Sequence, residues 1–142
     1  MILRVARFAE LDASTLYALL RLRVDVFVVE QRSAYPELDG RDDEPGTRHL
    51  WLDHDGPRAY LRLLTEPDGS VRIGRVAVAP DSRGAGLAGR LMSAALDLVP
   101  AGVRCVLHAQ SHLSGFYAGF GFVTTGPEYV EDGITHLPMS RP

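Results

Sequence analysis

Apolar positions change their spacing along this 142-residue chain, and the changes predict where helices and strands lie. Residues 2 to 8 alternate loosely and predict a first strand. Asp12 and Ser14 are plausible N-caps for a helix, because an apolar stripe at helical spacing follows and no glycine or proline interrupts it before Arg32. Residues 33–46 contain two prolines, two glycines and five carboxylates and predict a long acidic loop.

The rest of the chain is predicted as strands around one long helix. Apolar runs at residues 49–54 and 58–64 flank Asp55-Gly56-Pro57 and predict an antiparallel hairpin. An apolar stripe from Leu87 to Leu98 predicts the long helix, which Pro100 ends. The elements predicted after it are a strand at 103–108, a short helix at about 112–118, and a hairpin of residues 122–129 and 134–139, whose Pro138 predicts an edge strand.

The strand before the long helix carries an irregular alternation. Its large aliphatic residues are Val71 and Ile73, then Val76 and Val78, so the two-residue period slips by one at Gly74-Arg75. One extra residue in a β-bulge would return both pairs to the same face of the sheet. We therefore predict a bulge at this point.

Composition matches a soluble globular protein, with 46% hydrophobic and 23% charged residues, and predicts a single domain over residues 1–142. A lone cysteine, Cys105, can form neither an intrachain disulfide nor a CxxC zinc pair and indicates a reducing compartment, so we expect a cytoplasmic protein. Met1-Ile2-Leu3 is followed at once by Arg4, and no run of 18 apolar residues occurs, so we expect neither a signal peptide nor a membrane span.

The charged residues exclude several chemistries. All fifteen basic residues are arginine, which excludes a Schiff-base lysine and a Walker lysine. The net charge of −3 lacks the basic field of a typical nucleic-acid binder. Five histidines without HExxH spacing argue against a zinc site.

A glycine-rich loop, residues 83–89, joins the bulged strand to the long helix. Gly84, Gly86 and Gly89 fit the dinucleotide motif GxGxxG, whereas Arg83, Gly86 and Ala88 fit [Q/R]xxGx[G/A], the pyrophosphate loop of acetyl-coenzyme A transferases. Either loop would present backbone N–H groups and a helix N-terminus to a diphosphate. Antiparallel hairpins before the loop, and residues 104–110 without an Asp or Glu after it, argue against a Rossmann domain. A purely structural glycine loop is the third alternative.

Motifs along nearly the whole chain resemble those of the GCN5-related N-acetyltransferase (GNAT) superfamily, specifically its ElaA-like branch. The matching segments are residues 16–20, 23–31, 39–42, 74–76, the glycine loop, 110–113, 116–117 with 120–122, and 131–136. This resemblance implies an α+β, three-layer α/β/α architecture: a mixed, mostly antiparallel sheet of about six to seven strands with helices on both faces, the acyl-CoA N-acyltransferase fold. It also implies a cofactor cleft where two neighbouring strands splay apart.

The resemblance implies acetyl-coenzyme A as the cofactor. Backbone amides of the loop, from Arg83 through Gly84, Ala85, Gly86 and Leu87 to Ala88, would bind the pyrophosphate. The main chain of Val76, Ala77 and Val78 would pair with the pantetheine arm and direct an N–H to the thioester oxygen. Gln110 stands where many relatives carry an asparagine that contacts pantetheine.

Tyr117 matches the family tyrosine that reaches the coenzyme sulfur, and a phenol suits protonation of a thiolate. The alternative is that Tyr117 only anchors a short helix in the core. We expect the general base to be Glu30 or His136, while His49, His112, Glu131 and water remain alternatives; His54 and His108 are expected to have no chemical role. Cys105 is expected to be a core residue and a poor nucleophile.

These features predict an N-acetyltransferase that moves an acetyl group to a primary amine in a ternary complex. The acceptor would be a small-molecule or peptide amine, and the protein a monomer or homodimer without nucleic-acid or membrane partners. Carboxylates between Glu37 and Glu44 could steer a cationic amine or could simply be solvated. The alternative function is a catalytically silent coenzyme A-binding sensor or interaction module with the same fold.

Overall fold

One mixed sheet of eight strands organises the molecule, in a computed structural model that describes all 142 residues. The strands are β1 (Ile2–Ala6), β2 (Arg48–Asp53), β3 (Pro57–Thr65), β4 (Val71–Val78), β5 (Cys105–Gln110), β6 (Val123–Thr124), β7 (Tyr129–Glu131) and β8 (Ile134–Arg141). Their order across the sheet is β1-β2-β3-β4-β5-β8-β6, and β7 also pairs with β8. Only the β4–β5 pair is parallel.

Helices cover both faces of this sheet, as predicted. Helix α1 (Ala13–Val24) packs on one face, where Leu19 and Leu22 join a small core with Trp51 and Tyr60. On the other face, helix α2 (Leu87–Leu98) and helix α3 (Ser114–Ala118) pack over a larger core of sixteen buried residues. The three-layer α/β/α arrangement is confirmed, with eight strands instead of six to seven because β6 and β7 are short additions of two and three residues.

The first helix begins and ends close to the predicted positions. The Asp12 side chain accepts a hydrogen bond from the Thr15 backbone N–H at 2.7 Å, which confirms Asp12 as the N-cap. After Val24 the helix widens into π-helical turns over Asp25–Glu30, and a loop without helix or strand follows over residues 33–46. Glu30 is the last residue of this π-helical segment.

The predicted bulge in β4 is confirmed. Tyr60 of β3 pairs with Ala77 of β4, and Arg62 of β3 pairs with Gly74 of β4. The pairing therefore moves two residues along β3 but three residues along β4, so β4 contains one extra residue. Val71, Ile73, Val76 and Val78 all pack toward the larger core, as the slipped alternation predicted. The left-handed conformation belongs to Arg75, with φ of 56°, and not to the neighbouring glycine.

The prediction that Pro138 marks an edge strand is wrong, because β8 lies between β5 and the pair β6 and β7. Pro138 is tolerated inside the sheet because of where it falls along β8. Its carbonyl accepts a hydrogen bond from Thr125, just after β6 has ended and before β7 begins. The imide nitrogen therefore interrupts no strand pairing on that side.

None of the helices combines the length and the apolar composition that crossing a bilayer requires.

Candidate active site

A cleft opens where β4 and β5 separate. The two parallel strands pair only at Val71 with Cys105 and at Arg72 with Val106, so their backbones diverge before the bulge at Arg75. The resulting cleft has a volume of about 980 Å³. It is lined by residues that pack toward the larger core, such as Val76 and Tyr117, and by residues of the other face, such as Ala77. The cleft therefore passes through the sheet from one face to the other.

The glycine loop and the start of α2 lie beside this cleft, with Arg83 and Ala88 in its wall. Gly84 and Gly86 have φ of 85° and 74°, and no atom outside the adjacent residues lies within 4 Å of the position that a Cβ would take at either one. Gly86 caps α2 without a side-chain acceptor, and the amides of the first helical turn donate no backbone hydrogen bond. These free amides are Leu87, Ala88 and Gly89. Such a loop fits the diphosphate of coenzyme A, which needs open space and unpaired N–H donors at a helix N-terminus.

Arg83 joins the glycine loop to the end of the π-helical segment. Its guanidinium forms a bidentate ion pair with Glu30, with both N–O distances at 2.6 Å, and its Nε donates to the Val78 carbonyl at 3.1 Å. The hydrogen bonds and charge of Arg83 lower the pKa of Glu30. In this arrangement Glu30 is a weaker base than an ordinary glutamate, which disfavours it as the group that accepts the amine proton.

Tyr117 is held by α3 with its ring in the larger core and forms part of the cleft wall. Its side chain is 6% exposed, and burial raises the pKa of its phenol to about 12. The hydroxyl has no hydrogen-bonding partner that shifts this pKa. The ring of Tyr117 therefore anchors the core while the residue also borders the cleft, and its role as an acid stays a prediction.

Two histidines in the cleft are fixed by Tyr129 and by the backbone. The Nδ1 of His136 lies 2.8 Å from the Ile134 carbonyl, and its ring stacks on Tyr129 with centroids 5.6 Å apart. A carbonyl only accepts, so Nδ1 carries the proton and Nε2 of the neutral ring is free to accept one. His108, for which no chemical role was expected, also lines the cleft and is hydrogen-bonded to the Tyr129 hydroxyl.

The other predicted base candidates have different surroundings. His49 lies outside the cleft at 1% exposure, with one ring nitrogen 2.6 Å from the Tyr60 hydroxyl and the other 2.9 Å from the Asp42 carbonyl. Burial lowers its pKa. His112 and Glu131 are exposed in the cleft wall without an ion-pair partner. The structure thus leaves His49 no free nitrogen with which to act as a base.

Gln110 lies in the cleft wall, where its side-chain N–H donates to the Gln31 amide oxygen at 3.3 Å. Cys105 is buried in the larger core, and burial raises the pKa of its thiol to about 11. Cys105 is therefore a core residue that holds little thiolate near neutral pH. The structure contains no group of three or more His, Cys, Asp or Glu side chains arranged to hold a metal ion.

The acidic loop differs from both expectations for it, which were that its carboxylates steer a cationic amine or that they are simply solvated. Four of its five carboxylates pair with arginines: Glu37, Asp39 and Asp42 with Arg23, Arg62 and Arg75, and Glu44 with Arg41. Only Asp43 is exposed and unpaired. We call Arg23, Arg62, Arg75, Glu37, Asp39 and Asp42 the arginine–carboxylate network. It neutralises most of the charge that could steer a cation, and sequence reasoning missed it because its arginines lie within otherwise apolar elements.

Comparisons with known proteins agree on one family. A family model described as an acetyltransferase (GNAT) domain matches residues 23–141. A UPF0039 protein of Mycobacterium tuberculosis is 50% identical over 138 residues, covering 94% of this chain and 88% of its own length. The ElaA protein of Escherichia coli is 42% identical over 146 residues, covering 94% of this chain and 91% of its own.

Solved structures agree with the sequence comparisons. A crystal structure of an acyl-CoA N-acyltransferase from Pseudomonas aeruginosa matches with a TM-score of 0.94 and 41% identity, over 99% of both chains. The crystal structure of Escherichia coli ElaA matches with a TM-score of 0.93 and 39% identity, again over 99% of both chains. The architecture is that of the acyl-CoA N-acyltransferases.

Proposed function

Because this chain belongs to the GNAT acetyltransferase family, in its ElaA-like branch, we propose that it transfers an acetyl group from acetyl-coenzyme A to a primary amine. The family and the fold support acyl transfer from an acyl-coenzyme A. The observation that carries the proposal is the cleft that passes through the sheet beside the free amides of α2, because it gives donor and acceptor separate approaches to one point. Both substrates are bound together during the transfer.

The glycine loop holds the donor. Amides of Leu87 and Ala88, with the backbone of Arg83 to Gly86, bind the diphosphate, and the N-terminal end of the α2 dipole supports the same charge. When bound, acetyl-coenzyme A would supply the activated acetyl group. The main chain of Val76, Ala77 and Val78 lines the cleft and is proposed to orient the pantetheine arm and to direct an N–H to the acetyl oxygen. Gln110 is proposed to contact the same arm from β5.

Tyr117 is proposed to assist the departure of the sulfur. Its phenol stays protonated at neutral and moderately alkaline pH, since burial raises its pKa to about 12. A phenol is a weaker acid than a thiol, so the hydroxyl donates a hydrogen bond as negative charge develops on sulfur, and it passes its proton only as water supplies another.

His136 is proposed as the general base in preference to Glu30. Its Nδ1–H is held by the Ile134 carbonyl, which leaves Nε2 to accept the amine proton, whereas the Glu30 carboxylate is occupied by Arg83. One bond forms, from the amine nitrogen to the acetyl carbon, and one breaks, from that carbon to sulfur. His136 then carries the proton that the amine lost, water replaces at Tyr117 the proton that sulfur gained, and exchange with water returns His136 to its neutral form.

The proposal is tested in two steps with the intact protein. Melting temperature is measured with acetyl-coenzyme A, with NAD and without ligand, and only acetyl-coenzyme A is expected to raise it; a ligand at one hundred times its dissociation constant adds about 2.7 kcal/mol. Thiol release is then followed with a panel of primary amines. Stabilisation without thiol release from any amine would favour the alternative, a catalytically silent coenzyme A-binding sensor or interaction module.

A further inference from the structure

The bulge residue Arg75 has a backbone conformation that is unfavourable for a non-glycine residue and needs contacts to stabilise it. Its φ of 56° lies in the left-handed region, which disfavours every residue with a Cβ, and Arg75 is followed directly by Val76, the first residue of the donor-binding backbone. A non-glycine residue keeps such a conformation only when its surroundings impose it.

The side chain of Arg75 is tied at several points to the loop over residues 33–46. Its Nε donates to the Glu37 carboxylate at 2.9 Å, and one terminal nitrogen donates to the Glu37 carbonyl at 3.1 Å and to the Asp39 carboxylate at 3.4 Å. The guanidinium also lies over the Tyr35 ring, 5.6 Å from its centroid. Glu37 therefore contacts Arg75 through both its side chain and its backbone.

Glu37 is itself fixed from the opposite side. Its carboxylate accepts a hydrogen bond from Arg23 of α1 at 2.8 Å and another from the Tyr35 hydroxyl, and the residue is 4% exposed. Arg62 is the β3 residue that pairs with Gly74, and Asp39 and Asp42 of the same network hold its side chain. The bulge is thus clamped from both strands that form it.

The charges of this network balance, with three arginines against three carboxylates. Arg23, Arg62 and Glu37 are all less than 5% exposed, and a buried charge that loses its partner is strongly destabilising. This cost makes any rearrangement of Glu37 unfavourable, so its contacts with Arg75 are rigid.

We propose that Glu37 is a positioning residue that acts through Arg75 to hold the β4 bulge, and so fixes the direction of the Val76 backbone N–H in the cleft. This inference rests on the proposed function, in which that backbone orients the acetyl oxygen. Glu37 does not itself line the cleft. It is the connection between the buried network and the reacting atoms.

The test compares Glu37→Gln with a matched control, Glu66→Gln. Glu66 also pairs with two arginines, Arg41 at 2.8 Å and Arg72 at 3.3 Å, but lies outside the cleft. Amide hydrogen exchange of the ligand-free protein is measured across residues 74–78. We expect Glu37→Gln to speed exchange there at least tenfold, and Glu66→Gln to leave it within about twofold of the wild type.

The second readout is the steady-state rate with an amine for which the wild-type protein releases thiol in the panel. We expect Glu37→Gln to lower kcat about 10- to 100-fold, as small displacements of reacting groups do, with the dissociation constant of coenzyme A within about threefold. Arg75→Met should have a similar effect, and the double variant should be no slower than Arg75→Met alone, because both changes break the same connection.

The outcomes separate this inference from the proposed function. Unchanged hydrogen exchange at residues 74–78 in Glu37→Gln would overturn the positioning role. A fold loss of kcat in the double variant equal to the product of the two single losses would overturn it as well. If Glu37→Gln does not fold, Arg75→Met takes its place in the exchange measurement with the same expectation. A wild-type protein that releases no thiol with any amine would overturn the proposed function, and the exchange result would still decide whether Glu37 holds the bulge.

Discussion

At the scale of single residues, Tyr117 offers the clearest division between packing and chemistry. We expect Tyr117→Phe to lower kcat about 10²-fold or more, because the hydroxyl that serves the leaving sulfur is lost, with little change in the dissociation constant of acetyl-coenzyme A. The free energy of unfolding should change by less than about 1 kcal/mol, since the Tyr117 hydroxyl makes no hydrogen bond within the chain.

Tyr17→Phe is the matched control for this measurement, because Tyr17 is an exposed tyrosine on α1 outside the cleft. It should leave kcat and the dissociation constant unchanged. A Tyr117→Phe variant with the turnover of the wild type would assign Tyr117 to the core alone.

His136 gives the second prediction at this scale. His136→Gln should lower kcat about 10²-fold, since the glutamine side chain cannot accept the amine proton as imidazole does. His54→Gln, at an exposed turn outside the cleft, is the control and should be neutral. Steady-state rates at saturating acetyl-coenzyme A provide the measurement, and equal rates for the two variants would argue for proton loss to water or to another group.

The sequence indicated which residues line the cleft better than it indicated which other residues they pair with. Tyr117, His136, Glu30 and Gln110 line the cleft, and the roles expected for them stay predictions. The Arg83–Glu30 ion pair joins residues 53 positions apart, and nothing in the local sequence indicates it. His108 was expected to have no chemical role, and its hydrogen-bonding partner, Tyr129, comes from β7, a segment 21 positions away in sequence.

At the scale of elements, the loop before α2 is the part on which donor binding depends. Gly86→Asp should abolish coenzyme A binding, because it places bulk and negative charge where the diphosphate is proposed to lie. Gly102→Asp is the control, since Gly102 also has a positive φ, 80°, and open space around it, but follows the other end of α2. Titration calorimetry should detect binding to the control only; binding to both variants would make the loop assignment wrong.

Elements were predictable where the signal is local. The bulge in β4 was predicted because a slipped alternation is visible within eight residues, and the structure adds only that Arg75 carries the positive φ. Pro138 was assigned to an edge because proline rarely lies inside a sheet. That rule failed because β6 ends and β7 begins around Pro138, a gap that depends on how three separate segments pair.

At the scale of the whole molecule, the arginine–carboxylate network connects α1, β3, β4 and the loop over residues 33–46. Sequence reasoning treated the loop carboxylates as a separate charged segment, since their partners lie up to 38 positions away. Arg62 and Arg23 look like interruptions of apolar patterns and are in fact buried beside those carboxylates. Such pairing follows from tertiary structure, which the spacing of charges along the chain does not specify.

This network makes stability depend on pH in a defined direction. Burial opposes the ionisation of Asp42, but hydrogen bonds and charge from Arg23 and Arg62 outweigh it, so its pKa in the folded protein lies below the unfolded value of 3.8; the pKa of Asp39 is lowered in the same way by Arg62. A group with a lowered folded pKa stabilises the protein above its unfolded pKa, and this contribution is lost as pH falls toward the folded one. The contribution of these two carboxylates to the free energy of unfolding should therefore be steady from pH 7 to about 5 and fall below about 4. His49, whose pKa burial lowers from 6.5, adds a separate loss of stability as pH falls below about 6.5.

Asp42→Asn isolates the network's share of that dependence. At pH 7 it should lower the free energy of unfolding by about 3–5 kcal/mol, because two buried arginines lose their shared carboxylate. The difference from wild type should narrow near pH 3, where part of the wild-type contribution is already lost. Asp43→Asn, at the neighbouring exposed and unpaired carboxylate, should be within about 0.5 kcal/mol of wild type at both pH values. Urea unfolding of the three proteins gives the comparison, and an Asp42→Asn deficit of equal size at pH 7 and pH 3 would trace the loss to the replaced hydrogen-bond acceptor and not to charge.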